Sequence, residues 1–126
     1  MFLKILFWNV NRRLGTILKN ISPFSEQKPD MFFASEISVG YEAIENVVGY
    51  TKYADKTVKE RNHGGIVCYV KNNIATHVFN VTFNTCYISL RLDFAPNYLF
   101  IGTYIQPKSS KCVMITPPTS AHTQNV

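Results

Sequence analysis

The feature that most limits the fold is a strand-like segment at residues 3–9 whose two faces are both apolar. A strand with one wet face alternates apolar and polar residues, whereas a strand covered on both faces needs no polar positions. The fold must therefore place other parts of the protein against both faces of the sheet that holds this strand. The apolar positions are Leu3, Ile5 and Phe7 on one face, and Leu6, Trp8 and Val10 on the other.

The pattern up to residue 107 predicts many strands and only two helices. Apolar residues with helical spacing, such as Leu14, Ile17 and Leu18, predict a helix over residues 12–21, and a second helix is predicted over residues 40–48. Two helices cover one face of a sheet, so a second sheet or a partner must cover the other. The fold class is thus α/β or α+β, with a mixed, mostly antiparallel sheet and two helices on one face. The further strands are predicted at residues 31–35, 50–54, 66–70, 75–83, 86–94 and 99–105.

Composition and charge restrict the class of protein. The chain has 126 residues with 46% hydrophobic and 17% charged residues, which fits one domain and excludes a disordered chain. The net charge of +5 suits nucleic acid, phosphorylated ligands or an anionic membrane without choosing among them. No apolar run approaches the roughly 18 residues of a membrane span. Three cysteines without a close pair argue against a disulfide framework or a zinc ribbon and favour the cytoplasm.

The last part of the sequence differs in composition from the rest. Residues 108–126 are rich in Ser, Thr, Pro, Gln and Asn and show no periodicity. We therefore expect one domain over residues 1–107, followed by an irregular or disordered tail over residues 108–126.

Four segments carry polar side chains at predicted strand ends, where a sheet holds side chains still around a pocket. Asn9 and Asn11 follow the first strand, and Glu36 follows the second. A glycine pair opens the strand at residues 66–70, and Tyr104 lies near the end of the last predicted strand. In their order along residues 3–107, these segments resemble the endonuclease/exonuclease/phosphatase superfamily, which includes DNase I-like nucleases, abasic-site endonucleases, sphingomyelinases and inositol polyphosphate phosphatases.

The resemblance implies a function for each of these residues. Glu36 would bind the divalent cation, Mg²⁺ or Mn²⁺, and Asn11 would stand where many members place a further metal-site Asp or Asn. Asn9 would orient the metal ligand and the phosphate, and Tyr104 would position the scissile phosphate. The reaction implied is hydrolysis of a phosphoester by an activated water, and the fold implied is a four-layer α/β/β/α sandwich.

The sequence departs from the family after Tyr104. Members carry a second half with an Asp-x-Asn segment, a later Asp and a final Ser-Asp-His, which supply the general base and the catalytic His. This sequence has no acidic residue after Asp93, and the segment ending at His122 has Ala121 where the family has Asp. We expect a half-domain from a truncated or frameshifted reading frame, with an incomplete metal site and no activity alone.

Simpler interpretations compete with each of these functions. Glu36 is otherwise a solvated acid, Asn9 and Asn11 are ordinary turn residues, and Tyr104 is a half-buried sheet tyrosine. The basic loop at residues 52–61 is either a solvated surface or a phosphate contact. The alternative for the whole chain is a non-catalytic module that binds nucleic acid or self-associates through an uncovered sheet face. The substrate class (DNA, RNA, phospholipid or inositol phosphate) stays open.

Overall fold

Two four-stranded sheets packed face to face form the core of the protein. A computed structural model describes residues 2–20, 23–84, 86–103 and 122–124. Sheet A contains, in spatial order, β1 (Ile5–Asn9), β2 (Met31–Ser35), β4 (Ile66–Lys71) and β3 (Tyr50–Tyr53). Sheet B contains, in spatial order, β5 (Val78–Phe83), β6 (Tyr87–Leu92), β7 (Tyr98–Thr103) and β8 (His122–Gln124).

The helices are short and lie mainly outside sheet A. In sheet A, β1 and β2 are parallel, whereas β4 runs antiparallel to both β2 and β3. The parallel β1–β2 pair needs a crossover, which α1 and α2 supply. The helical elements are α1 (Leu14–Asn20), α2 (Pro23–Glu26), α3 (Asn72–Ala75) and a 3₁₀ turn at Tyr41–Ala43.

Sheet A is buried on both faces at β2, whereas β1, the strand on which that prediction was based, lies at the edge of the sheet, half-buried at Ile5–Phe7 and exposed at Trp8 and Asn9. All five residues of β2 are buried, and they alternate between two apolar clusters. Phe32 and Ala34 pack with Leu14 and Ile17 of α1, while Met31 and Phe33 pack against sheet B. The second layer over sheet A is therefore a sheet of the same chain. The α+β class and the sandwich arrangement are confirmed.

A glycine in β7 sets how closely the two sheets approach. A Cβ at Gly102 would overlap the ring of Phe33, which lies on the inner face of β2. The β7 backbone thus rests directly on an aromatic ring. Any larger residue at position 102 would push the sheets apart, and overpacking of this kind is destabilising.

The prediction of a helix over residues 40–48 is wrong. Only the 3₁₀ turn forms there, and Val48, expected on the buried side, is fully exposed. Distant side chains take the carbonyls that a helix would use: Lys52 Nζ donates to the Ile44 carbonyl at 3.0 Å, and the Tyr69 hydroxyl donates to the Glu45 carbonyl at 2.6 Å. The two helices on one face of sheet A are instead α1 and α2.

The cysteines and the end of the chain add three findings. Cys68 is a free, fully buried thiol, and burial raises its pKa. Cys86 is disulfide-bonded, which the odd number of cysteines did not predict. Within the predicted tail, β8 pairs in parallel with β7; residues 108–121, 125 and 126 lie outside the described residues, so the domain boundary stays a prediction.

No described helix is long and apolar enough to cross a membrane.

Candidate functional site

Asn9 and Glu36 leave the sheet at the same edge. Because β1 and β2 are parallel and Asn9 is in register with Ser35, both strands end at one level. The antiparallel β4 begins there, with Ile66 opposite Ser35. We call this edge, formed by residues 9–13, 36–40 and 61–65, the site edge.

The turn after β1 is tied to β2 by main-chain hydrogen bonds. The Val10 amide donates to the Ser35 carbonyl and the Arg12 amide donates to the Glu36 carbonyl, each at 2.9 Å. Asn9 Oδ1 accepts the Asn11 amide at 3.0 Å, which is an Asx-turn. Asn9 and Asn11 are both exposed, so their side chains reach solvent at the site edge. The structure therefore brings both predicted asparagines beside Glu36.

Glu36 combines a left-handed backbone conformation with a half-buried carboxylate. Its φ is +57°, and Asn11 (+46°), Arg12 (+66°) and Ser38 (+58°) share this left-handed region. The left-handed conformation costs an L-residue about 1–2 kcal/mol, so the surrounding packing must hold it. The half-buried Glu36 side chain makes no hydrogen bond or ion pair within the described part of the chain. It is an available oxygen ligand.

The glycine pair before β4 is the third chain segment of the site edge. Gly64 and Gly65 have φ values of +73° and +90°, where a side chain is disfavoured. Their carbonyls accept the Ser38 amide at 2.8 Å and the Ile37 amide at 3.4 Å, respectively. A Cβ at Gly65 would stand 2.5 Å from Arg61 Nε, so the guanidinium lies directly against this glycine. The glycine pair thus joins Arg61 to the segment that follows Glu36.

Sequence reasoning missed two side chains at this edge. Among the described residues, Ser38 Oγ and Arg61 Nε are the buried side-chain atoms without a hydrogen-bond partner. Desolvation lowers the pKa of Arg61, and the nearby Asp55 partly offsets this. The only signal in the sequence was the position of Arg61 in the basic loop, since the burial of both atoms depends on tertiary packing.

The basic loop contacts Tyr41 rather than acidic partners. Lys52 Nζ lies 4.5 Å and Lys56 Nζ 5.8 Å from the Tyr41 ring centroid, so two cations share one aromatic ring. Asp55, one of the two acids in this loop, accepts hydrogen bonds from the Thr57 amide and hydroxyl at 2.9 and 2.6 Å. These hydrogen bonds lower the pKa of Asp55. Within the described residues, neither lysine forms a salt bridge.

A cleft of about 330 Å³ opens between β1 and α1, beside the site edge. Asn9 and Asn11 line it together with Arg13 and Thr16 of the following helix region, but Glu36 does not. The cleft therefore gathers the two asparagines, while the carboxylate stands outside it. Tyr104 lies outside the described residues, so its predicted place at the site is not tested.

The donor set fits a water-rich magnesium site. Mg²⁺ prefers oxygen ligands and is commonly held by one or two carboxylates, with waters and substrate phosphates in the other positions. Glu36 offers one carboxylate and Asn11 an amide oxygen. Within the described residues, no group of three or more His, Cys, Asp or Glu side chains comes together. These two oxygen donors are fewer than the ligands that Mg²⁺ takes, so water and substrate would have to supply the rest.

Known structures share this fold. The chain is similar to an AP endonuclease from Leishmania major (TM-score 0.63, 19% identity), with 82% of this chain and 40% of that chain covered. It is also similar to a 3′ phosphatase from Neisseria bound to a product DNA hairpin (TM-score 0.63, 14% identity, 82% and 41% covered). A third is an AP endonuclease from Archaeoglobus fulgidus (TM-score 0.60, 19% identity, 82% and 41% covered).

These likenesses confirm the resemblance at the level of the fold. The chain spans about two fifths of the length of the structures it matches. No family model matches the sequence, and no curated protein matches it either. The chain therefore has a DNase I-like fold over part of the length of such a domain.

Proposed function

We propose that this chain is the metal-binding part of a Mg²⁺-dependent phosphodiesterase of the nuclease type. The observation that carries the proposal is the Glu36 carboxylate, which has no partner among the described residues and belongs to a residue with a left-handed backbone at the same edge as Asn9 and Asn11. A strained, half-buried acid without a partner costs stability and is typical of a ligand position. The fold shared with nucleases and phosphatases supports the same interpretation.

In this proposal each of the candidate site residues has its own function in binding the metal or the phosphate. Glu36 supplies a carboxylate oxygen to Mg²⁺ or Mn²⁺, and Asn11 supplies an amide oxygen. Asn9 fixes the turn through its hydrogen bond with the Asn11 amide. Tyr104 positions the phosphate. The bound cation would supply Lewis-acid stabilisation of charge on the phosphoryl oxygens.

The same proposal holds that the 126-residue polypeptide is inactive by itself. Hydrolysis needs a general base for the attacking water, and this sequence has no acidic residue after Asp93. Loss of a base and its partners lowers the rate by several orders of magnitude. The site edge is then able to bind metal and phosphate without completing the reaction.

Metal binding is tested with Mn²⁺, which broadens NMR signals of nearby nuclei. Addition of Mn²⁺ should broaden the amide signals of residues 9–11 and 36–38 first. Glu36→Gln should remove this selectivity, whereas Glu26→Gln, an exposed acid on α2, should leave it unchanged. Equal broadening in wild type and Glu36→Gln would refute the metal site.

Activity is tested by plasmid nicking in Mg²⁺ with the isolated chain. We expect no nicking above the level of a Glu36→Ala control. Robust nicking that Glu36→Ala abolishes would contradict the claim of inactivity while supporting the site.

The second candidate function is a non-catalytic module that binds nucleic acid. The two lysines that share Tyr41 without acidic partners favour it. Salt-dependent DNA binding that survives both EDTA and Glu36→Ala would support this function. For self-association, the inner face of sheet A is covered by sheet B and offers no free surface. A clean monomer on gel filtration would exclude the self-associating form.

A further inference from the structure

Two buried donors without acceptors lie beside the same glycine pair. Ser38 Oγ and Arg61 Nε are both buried and unpaired among the described residues. The Ser38 amide binds the Gly64 carbonyl at 2.8 Å, and Arg61 Nε lies against Gly65. Buried polar groups in native proteins are almost always satisfied, so two such exceptions at one place require an explanation.

The chemistry of the two groups indicates what is missing. Guanidinium nitrogens only donate hydrogen bonds, and a serine hydroxyl donates one. One of the two side chains carries a fixed positive charge. A partner that satisfies both donors accepts hydrogen bonds, and one that also balances the charge of Arg61 is an anion. Within the described residues, Arg61 has no hydrogen bond or salt bridge, and Asp55 acts on it only at longer range.

The position of these donors relates them to the candidate metal ligand. β2 and β4 are antiparallel with Ser35 opposite Ile66, so continuing the register sets Glu36 opposite Gly65. Arg61 contacts Gly65, and Ser38 follows Glu36 by two residues. The donors and the carboxylate therefore belong to adjacent chain segments of the site edge.

We propose that Arg61, supported by Ser38, binds the phosphoryl oxygens of the phosphodiester substrate beside Glu36. This inference rests on the proposed function, because it names how that same site holds its substrate. Arginine suits this task because its planar donors match the geometry of a phosphate. Lysine at position 61 would not reproduce the contact, since its ammonium lacks the donor fork.

The inference predicts that replacing Arg61 keeps or raises the stability of the fold but abolishes the binding of phosphate. A guanidinium without an acceptor is a cost to the free protein, so Arg61→Met should unfold at the same temperature or a higher one. The same variant should lose its response to phosphate. A purely structural arginine would behave the other way, since its replacement would destabilise the fold and leave any phosphate response intact.

Thermal unfolding in EDTA tests this without involving metal or hydrolysis. The probes are inorganic phosphate and the dinucleotide thymidylyl-thymidine, each against sodium chloride of equal ionic strength. Wild type should gain about 4 °C at five times the dissociation constant of the probe. Arg61→Met and Arg61→Lys should lose this gain, and Ser38→Ala should reduce it. The matched control is Arg91→Met in sheet B, where Arg91 Nη1 donates to the Pro96 carbonyl at 3.0 Å.

Each outcome supports or overturns the inference. A gain with both probes that depends on Arg61 supports a phosphodiester subsite, and a gain with inorganic phosphate alone restricts the site to phosphate monoesters or free phosphate and overturns the substrate class. No gain, or an equal loss in Arg91→Met, overturns the site. Mn²⁺ broadening at Glu36 is measured separately from the thermal shift with phosphate. If the thermal shift is absent, the metal proposal still stands. If the Mn²⁺ broadening is absent, the phosphate subsite at Arg61 still stands.

Discussion

Asp30 and Glu36 stand at the two ends of the same strand, and their surroundings are opposite. Asp30, just before β2, accepts the Lys4 amide at 2.7 Å through its carboxylate and pairs with Lys71 at 3.4 Å. Glu36, just after β2, has a left-handed backbone and no side-chain partner in the described residues. The carboxylate at one edge of sheet A thus helps to hold the fold together, while the carboxylate at the site edge stays available among the described residues.

The same contrast extends beyond the two acids. At the edge that holds Asp30, the Tyr50 hydroxyl donates to the Pro29 carbonyl at 2.6 Å, and Thr51 Oγ1 donates to Asn72 Oδ1 at 2.8 Å. At the site edge, two buried donors stay unpaired among the described residues. The polar side chains at one edge of a sheet can therefore stabilise the fold while those at the other edge stay unpaired. This is possible because the apolar residues of the strands between the two edges supply the packing of the core.

The largest expected effect comes from the glycines of the two edges. Gly65→Ala places a Cβ on Arg61 at a φ of +90°, and we expect it to lower the free energy of unfolding by about 2–4 kcal/mol. Gly49→Ala has nearly the same φ, +89°, but nothing within 4 Å of the new Cβ. It should cost only about 1–2 kcal/mol. Urea unfolding of both variants measures the difference.

The double variant Arg61→Ala/Gly65→Ala isolates the contact. Removing the guanidinium should return the cost to the level of Gly49→Ala. If the double variant stays as unstable as Gly65→Ala, the backbone conformation alone explains the effect and the close contact with Arg61 is not responsible.

A medium effect is expected from the two acids that flank β2. Asp30→Ala removes an acceptor from a hydrogen bond and an ion pair, and should cost about 1–2 kcal/mol. Glu36→Ala removes no contact with the described residues and should change stability by less than about 0.5 kcal/mol. The denaturant midpoints of the two variants measure these two changes in stability. A loss at Glu36 as large as that at Asp30 would mean that the site edge is held together by its carboxylate.

The smallest effect concerns the hydrogen bonds between Asp55 and Thr57 in the basic loop. Thr57 hydrogen bonds lower the pKa of Asp55, so Thr57→Ala should raise that pKa toward its ordinary value. A lowered carboxyl pKa stabilises the fold above the unfolded pKa, and this contribution is lost as pH falls through the folded value. Since Asp55 lies near the surface, where solvent screens its charge, the change in acid stability should be slight. NMR titration of Asp55 measures the shift, and an unchanged pKa would assign it to another cause.

The sequence predicted the sheets better than the connections between them. β2 was predicted at its observed bounds because its residues are buried on both faces, so no competing pattern exists there. The helix expected at residues 40–48 fails because Lys52 and Tyr69, which lie outside that segment, donate to the carbonyls of Ile44 and Glu45. Periodicity records which residues are apolar and contains nothing about donors that arrive from elsewhere in the fold.

The candidate site divides in the same way. Asn9, Asn11 and Glu36 were found because each follows an apolar run, and the parallel β1–β2 pair brings them to one edge. Arg61 and Ser38 were not found, because an unpaired buried donor is defined by its neighbours in space. Tyr104 stays a prediction. The order of four segments predicted the fold, and the likeness to known structures confirms it. That order contains no information on substrate selectivity.

The close approach of Gly102 to the Phe33 ring has a consequence for how the protein folds. The two residues are far apart in sequence, whereas β5, β6 and β7 pair with sequence neighbours through short connections. Local pairings close small loops and form early, and contacts between distant segments form later. We expect the three-stranded meander to assemble first and to dock onto β2 in a late step. A bulkier residue at position 102 should then speed unfolding and leave the folding rate nearly unchanged.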